Sequence, residues 1–151
     1  MSRVYERSPV RHERPIPDEV VLEATPDRGR LARMVGALGV LVVGAVHLEQ
    51  YFGVHFDVVP TIGPLFALNF AGAIVIGLGL LAPLRRLHPL LALGGIALAT
   101  TSFVFFFVSE HQSLFGFQDY GYRPAIIVAL VAEVVAVLSL GVYLTARARA
   151  R

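Results

Sequence analysis

Long apolar runs alternate with short polar segments along most of the chain. Four such runs lie near residues 31–50, 60–84, 89–109 and 124–146. Each is close to the roughly 20 residues that an α-helix needs to cross a hydrocarbon core about 30 Å thick. Proline stands at the start of the last three runs, where its missing N–H costs nothing. The pattern predicts an all-α fold, a four-helix transmembrane bundle in up-down-up-down order.

The segments outside the runs define the domain organisation. Residues 1–29 are charged and contain several prolines, which is typical of a disordered tail. This stretch has neither the early apolar region nor the cleavage site of a secretory signal, so we expect the first run to be an uncleaved anchor. Residues 30–147 then form the membrane domain, and residues 148–151 form a short basic end.

Arginine placement predicts the orientation. Twelve of the thirteen arginines lie before or at the start of the first run, between the second and third, or after the fourth, and Arg123 is the exception. Because basic residues near membrane spans favour the cytoplasmic side, we expect both termini to be cytoplasmic and the protein to be a multi-pass protein of the cell membrane.

Composition narrows the function classes. The chain is 56% hydrophobic and only 16% charged, with a mean hydropathy of +0.67. These values exclude a soluble globular enzyme and a nucleic-acid binder. The chain contains no cysteine, so thiol catalysis, disulfides and thiolate metal sites are excluded. No nucleophile elbow or phosphate loop is visible, and we expect a protein without enzymatic activity.

The two halves of the chain show a possible internal repeat. The segments QYFGVHFDVVP (50–60) and SLFGFQDYGYRP (113–124) each contain an aromatic residue followed by Gly, then an Asp, then a Pro that begins the next run. Asn69 and Glu133 each lie nine residues beyond that Pro. Two interpretations stay open: parallel duplication of a helical hairpin, or chance similarity between two ordinary membrane turns.

Glu133 is the charged residue that most needs an explanation. It lies roughly 13 Å from the outer end of its helix, where a charged carboxylate costs at least about 2.5 kcal/mol. Asn69, Thr101 and Ser102 lie at a similar depth, so a bundle could gather them with Glu133 into one polar layer. In a structural interpretation these groups hydrogen-bond a protonated Glu133 and fix helix register. In a functional one the carboxyl binds a proton, a cation or a polar head group.

Histidines and carboxylates also surround the predicted outer end of the bundle. The candidates for this outer rim are His47, Glu49, Tyr51, His55, Asp57, Glu110, His111 and Asp119. Such groups can bind a divalent metal, but no spacing matches a known metal motif, and solvated or helix-capping side chains are the other interpretation. Two histidines could ligate a haem, although His47 and His111 differ in depth by about 7 Å. We expect no cofactor, with haem and a divalent metal as the alternatives.

Three segments carry a resemblance to known proteins. The stretches GAVHLEQYF (44–52), PTIGPLFALN (60–69) and LFGF (114–117) resemble small four-span membrane proteins of high-GC Gram-positive bacteria, most of which have no assigned function. The resemblance covers about residues 31–146 and implies a helical bundle in the cell envelope. The four-span architecture is also similar to that of DoxX-like proteins, without a motif that would transfer their functional residues.

Two functional hypotheses follow. The first is an accessory or interaction component of the membrane, whose tail and small-residue helix faces engage other membrane proteins or a second copy of the chain. The second is a carrier, or a protein that handles protons, metals or redox equivalents, with a polar site open to the outer face. They differ in one structural expectation, because only the second requires a cavity that reaches Glu133.

Overall fold

The computed structural model of the protein describes residues 27–118 and 122–150. These residues form four α-helices, α1 (Arg28–Gly53), α2 (Ile62–Leu81), α3 (His88–His111) and α4 (Pro124–Arg149), with a short 3₁₀ helix at Phe56–Val58. Within the described ranges the only β-type pairing is an isolated bridge between Leu114 and Phe117. Each of the four helices is long and apolar enough to cross a membrane. The prediction of an all-α four-helix bundle is confirmed.

The helix ends differ from the predicted ones for local reasons. α1 begins at Arg28 because the Asp27 carboxylate accepts a hydrogen bond from the Gly29 N–H at 3.0 Å. The predicted tail therefore contains the first helical residues, while residues 1–26 lie outside the described part. α2 ends at Leu81, earlier than predicted, because the residue before Pro83 is extended. α4 continues into the predicted basic end and stops at Arg149.

The four helices surround a central space, because α2 and α4 lie on opposite sides of it and do not pack on each other. α1 packs along α2 and α4, and α3 packs against α2 and α4 on the other side. In the described residues α2 and α4 make no contact with each other, and α1 touches α3 over a short stretch. Side chains therefore decide, at each height along the bundle axis, whether the space between α2 and α4 is filled.

One half of the bundle is tightly closed, and we call it the closed half: residues 29–44, 73–81, 88–96 and 132–146, apart from Glu133, which lines the space in the other half. Its helices approach through small residues. A Cβ at Gly39 would lie 3.0 Å from the Ala132 carbonyl oxygen, and one at Gly36 would lie 2.6 Å from Leu140. Leu140 is fully buried at the centre, where it also lies against Gly95. Close backbone approach of this kind is how membrane helices gain packing energy.

The opposite half, residues 46–72 and 97–130 with both of its connections, is less tightly packed, and we call it the open half. Its connections contain the non-glycine residues with left-handed backbone in the described chain, namely His55, Thr61 and Phe115, with φ between 54° and 65°. Such conformations cost about 1–3 kcal/mol each and persist only where the surroundings hold them. The backbone strain is thus confined to the open half.

Candidate functional site

The open half surrounds a cavity of about 480 Å³. All four helices and both connections at this end contribute to its walls, which are mainly Leu, Ile and Phe side chains. Apolar walls with a few polar groups, at a volume of about 300–1,000 Å³, are typical of small-molecule sites. The polar side chains that line this cavity are His47, Gln50, Asn69, Thr101, Ser102, Ser109 and Glu133.

The four residues predicted to form an intramembrane polar layer all line this cavity. Glu133, Asn69, Thr101 and Ser102 come from α4, α2 and α3. Glu133 is only 2% exposed and lies at the border between the open and closed halves. The carboxyl therefore forms part of the cavity floor and does not face lipid.

His47 belongs to this floor rather than to the outer rim where the sequence placed it. Its Nδ1 lies 2.9 Å from the Val43 carbonyl oxygen, and its Nε2 lies 3.1 Å from Ser102 Oγ. Since a carbonyl oxygen only accepts, Nδ1 carries a hydrogen and donates it. In the neutral imidazole, Nε2 then accepts the hydrogen of the Ser102 hydroxyl.

Ser102 thus links α3 to α1 through its hydrogen bond with His47. Its hydroxyl and the Glu133 carboxyl line the same cavity.

Three acceptor atoms in the cavity lining have no hydrogen-bond partner: Glu133 Oε2, Asn69 Oδ1 and Gln50 Oε1. Gln50 is 4% exposed, so it is almost as buried as Glu133. Leaving a buried acceptor unpaired costs about 1–3 kcal/mol. All three atoms lie on one cavity, where each can accept a hydrogen bond from a group inside it.

Aromatic rings cover the cavity at the end formed by the two connections. Phe56 contacts Phe66 of α2 and Phe117 of the second connection, in both cases with ring centroids 5.1 Å apart. Phe66 in turn contacts the His47 ring at 4.8 Å. Phe52 and Phe115 are exposed, as aromatic residues at a membrane interface are, whereas Phe56 is buried.

The cavity borders the lipid-facing surface between α2 and α3. Leu68 and Phe105 line it and are 68% and 40% exposed, and Ala97 and Thr101 are also exposed. Gly79 lies against Leu91 in the closed half, and at the cavity a Cβ on Gly72 would meet only the Leu98 side chain. The exposed lining residues therefore place the side of the cavity at the apolar surface of α2 and α3.

The remaining outer-rim residues do not join this site. Glu49 accepts a hydrogen bond from Gln50, Tyr51 packs on Phe52, and the His55 and Asp57 side chains lie 3.7 Å apart at the surface. His111 is exposed and its Nδ1 lies 2.7 Å from the Phe107 carbonyl oxygen. Among the residues that the structure describes, no three His, Asp or Glu side chains are grouped to hold a metal ion. Asp119 lies outside the described residues.

Glu110 is instead part of a contact between α3 and the second connection. The Tyr122 hydroxyl donates to its carboxylate at 2.9 Å. This hydrogen bond holds the pKa of Tyr122 above its ordinary value of 10.0, with smaller contributions from desolvation and the negative charge of Glu110. The pair ties the second connection to the end of α3.

Gln50 is the site residue that the sequence analysis missed. It lies three positions after His47, which places both on one face of α1. A glutamine at the end of an apolar run looks like an ordinary interfacial residue. Only the connection that folds back over α2, with Phe56 buried beside it, shows that Gln50 is covered.

Comparisons of this chain with protein-family models, curated protein sequences and solved structures find no match. The resemblance to small four-span proteins of Gram-positive bacteria therefore stays a prediction. The parallel duplication of a hairpin also stays a prediction. The function of this fold has to be argued from the cavity and its lining.

Proposed function

We propose that the protein is a non-enzymatic binding protein of the cell membrane, which takes up a small molecule with an apolar body and a hydrogen-bonding head group. The observation that carries this proposal is the cavity of about 480 Å³ that reaches the buried carboxyl of Glu133. Its walls suit an apolar body and its floor suits a polar head. This is the second of the two functional hypotheses, without its metal and redox variants.

The route into the site supports a ligand that dissolves in the membrane. The exposed lining residues of α2 and α3 are apolar or small, as at Leu68, Ala97 and Phe105. An apolar body could pass between these helices from the lipid without crossing a charged surface. The polar head would then reach the floor beneath the aromatic cover.

An orientation with the open half toward the outside is part of the proposal. The contacts of α1 with α2 run in opposite directions along the two helices, since Gly44 lies against Ala73 and Gly77 against Leu41. Such pairing supports up-down-up-down order, with the start of α1 and the end of α4 at the closed end, where the connection at 82–87 also carries arginines. With a reporter fused after residue 151, we expect activity from a reporter that functions in the cytoplasm and none from one that functions outside the membrane. Activity of an external reporter at that position would overturn this orientation.

An accessory role stays possible on the sequence, but the small residues that suggested it have another use. Gly36, Gly39, Gly77 and Gly95 all lie against side chains or backbone inside the bundle. They are therefore not available as faces for a second membrane protein. Gly141 is the exception in α4, since a Cβ there would meet nothing within 4 Å.

Native mass spectrometry in a mild neutral detergent tests the proposed binding. We expect a bound small molecule at up to one per chain in the wild-type protein. The Gly72→Leu variant is expected to lose it, because Gly72 lines the cavity and a Cβ there meets only the flexible end of Leu98. Gly141→Leu is the matched control and should keep it. Equal ligand content in both variants, or none in any protein after incubation with membrane extract, would contradict the proposal.

A further inference from the structure

We infer that the head group of the ligand is an amine, bound as its ammonium ion to the cavity floor. This inference rests on the proposed function and assigns the chemical class of the molecule bound. It is carried by the donor and acceptor balance of the lining, by the charges around the cavity and by its aromatic walls.

The fully buried polar atoms of the lining that lack a partner are acceptors. Glu133 Oε2, Asn69 Oδ1 and Gln50 Oε1 lack partners, and they come from three different helices. A carboxylate or phosphate head group offers only acceptors, so the three acceptors of the protein would stay without a donor. A hydroxyl supplies one donor, whereas a primary ammonium supplies three. The ammonium is therefore the head group that offers the most donors to these acceptors.

The charge of the lining also favours a cation. No lysine or arginine is among the cavity-lining residues that the structure describes, and Glu133 is the acid among them. Arg123, at the start of α4, lies outside the lining with its guanidinium carbon 5.6 Å from the centroid of the Phe56 ring. A cationic head would thus meet a carboxyl at the floor without a basic side chain beside it.

The aromatic side chains of the lining are a second feature that suits a cation. Phe56, Phe66, Phe105, Phe106 and Phe117 line the cavity. A cation within about 6 Å of a ring centroid is stabilised by the negative face of the ring. The contact of Arg123 with Phe56 shows that one of these rings already lies against a cation.

Binding of an ammonium ion is expected to release one proton. His47 on α1 and Glu133 on α4 are the titratable groups facing the cavity, while α2 contributes Asn69 and α3 contributes the hydroxyls of Thr101, Ser102 and Ser109. Before binding, the buried carboxyl of Glu133 holds its proton and the floor is neutral. The ammonium then pairs with the Glu133 carboxylate, and that proton leaves to water. Charge is balanced because one cation enters as one proton departs.

Three probes with the same body test the head group: 4-phenylbutylamine, 4-phenylbutan-1-ol and 5-phenylpentanoic acid. Binding to the full chain in nanodiscs of zwitterionic phosphatidylcholine is measured by calorimetry, against empty nanodiscs. We expect the amine to bind at least about tenfold more tightly than the alcohol, since charged hydrogen bonds are the stronger ones. The acid should bind most weakly. Repeating the amine titration in buffers of different ionisation enthalpy should give about one proton released per amine.

Variants of the carboxyl separate the head group from the cavity. Glu133→Gln should weaken amine binding at least about tenfold and change alcohol binding less than about twofold. Glu133→Asp keeps a carboxyl and should keep the preference for the amine. If Glu133→Gln does not fold, the amine preference of Glu133→Asp and the number of protons that the wild-type protein releases per amine test the inference instead. Equal binding of amine and alcohol, with no proton released, would overturn the inference and leave the proposed binding function intact. If none of the probes binds and Gly72→Leu behaves as wild type, both are overturned.

Discussion

The closed half and the open half of this bundle consist of the same four helices but differ in what separates them. In the closed half, glycines and alanines let backbones approach until the space is filled by Leu140, Val40 and Leu80. In the open half, the inner face of α1 presents His47 and Gln50, whereas in the closed half it presents Gly36 and Gly39. Larger polar and aromatic side chains hold the helices apart there, and a cavity results.

In this small helical bundle, the packing that stabilises the fold and the cavity proposed to bind a ligand lie at different ends of the axis. Packing energy is concentrated where residues are small and dry. Unpaired acceptors and left-handed backbone are concentrated around the cavity. Substitutions in the closed half should therefore change stability, and substitutions in the open half should change binding.

The largest effect is expected at the centre of the closed half. Leu140→Ala removes a fully buried side chain that lies against Gly36 and Gly95. We expect a loss of about 2–5 kcal/mol in the free energy of unfolding, the range for buried leucines. Leu130→Ala is the matched control, because that leucine borders the existing cavity and should cost less. Reversible denaturation in mixed micelles measures both, and equal losses would remove the distinction between the halves.

The same substitution should act differently in the two halves. Gly39→Leu places a side chain against the backbone of α4, where a Cβ alone would lie 3.0 Å from the Ala132 oxygen, so we expect about 1–3 kcal/mol of destabilisation. Gly72→Leu should leave the unfolding free energy nearly unchanged and reduce ligand binding instead. Gly141→Leu should change neither. A Gly72→Leu protein as unstable as Gly39→Leu would show that the open half is also tightly packed.

A smaller effect is expected from the link between His47 and Ser102. A double-mutant cycle with His47→Phe and Ser102→Ala should give a coupling of about 0.6 kcal/mol in unfolding free energy, the average for hydrogen bonds between membrane helices. The 3.1 Å contact between His47 Nε2 and Ser102 Oγ is the reason for the coupling. Strictly additive single substitutions would argue that the two side chains do not interact.

The smallest effect is expected at the surface of the open half. The raised pKa of Tyr122 means that its bond to Glu110 stabilises the fold below the ordinary phenol pKa and is lost as pH rises through the higher folded value. The difference between the ultraviolet titration curves of the wild-type protein and the Tyr122→Phe variant should therefore show a phenol that ionises above pH 10.0. Ionisation of the missing phenol at or below that pH would show that the hydrogen bond is absent in solution.

Much of the architecture was predictable because a bilayer imposes length and apolarity on each helix. The four helices and their approximate ends follow from that constraint, as does the need to shield Glu133. The sequence also grouped Asn69, Thr101 and Ser102 with Glu133 from depth alone, and these residues line one cavity.

The parts that could not be predicted depend on how the connections fold. Counting depth along α1 placed His47 near the outer interface, because nothing in the sequence shows that the 3₁₀ helix at Phe56–Val58 lies over this end. That cover turns His47 and Gln50 into floor and wall residues. The division into closed and open halves likewise requires knowing which glycines face each other, and a helical periodicity does not give partners.

Cysteine accessibility tests the central difference between the halves most directly, since the chain has no cysteine of its own. Single cysteines at Asn69 and Thr101 represent the cavity, and single cysteines at Ala73 and Ala92 represent the closed half, where both alanines are fully buried. In proteoliposomes treated with a small maleimide, we predict rapid labelling at the cavity positions and almost none at the buried alanines. A ligand or the Gly72→Leu substitution should slow the labelling of Thr101→Cys. Equal labelling rates at all four positions would contradict the account.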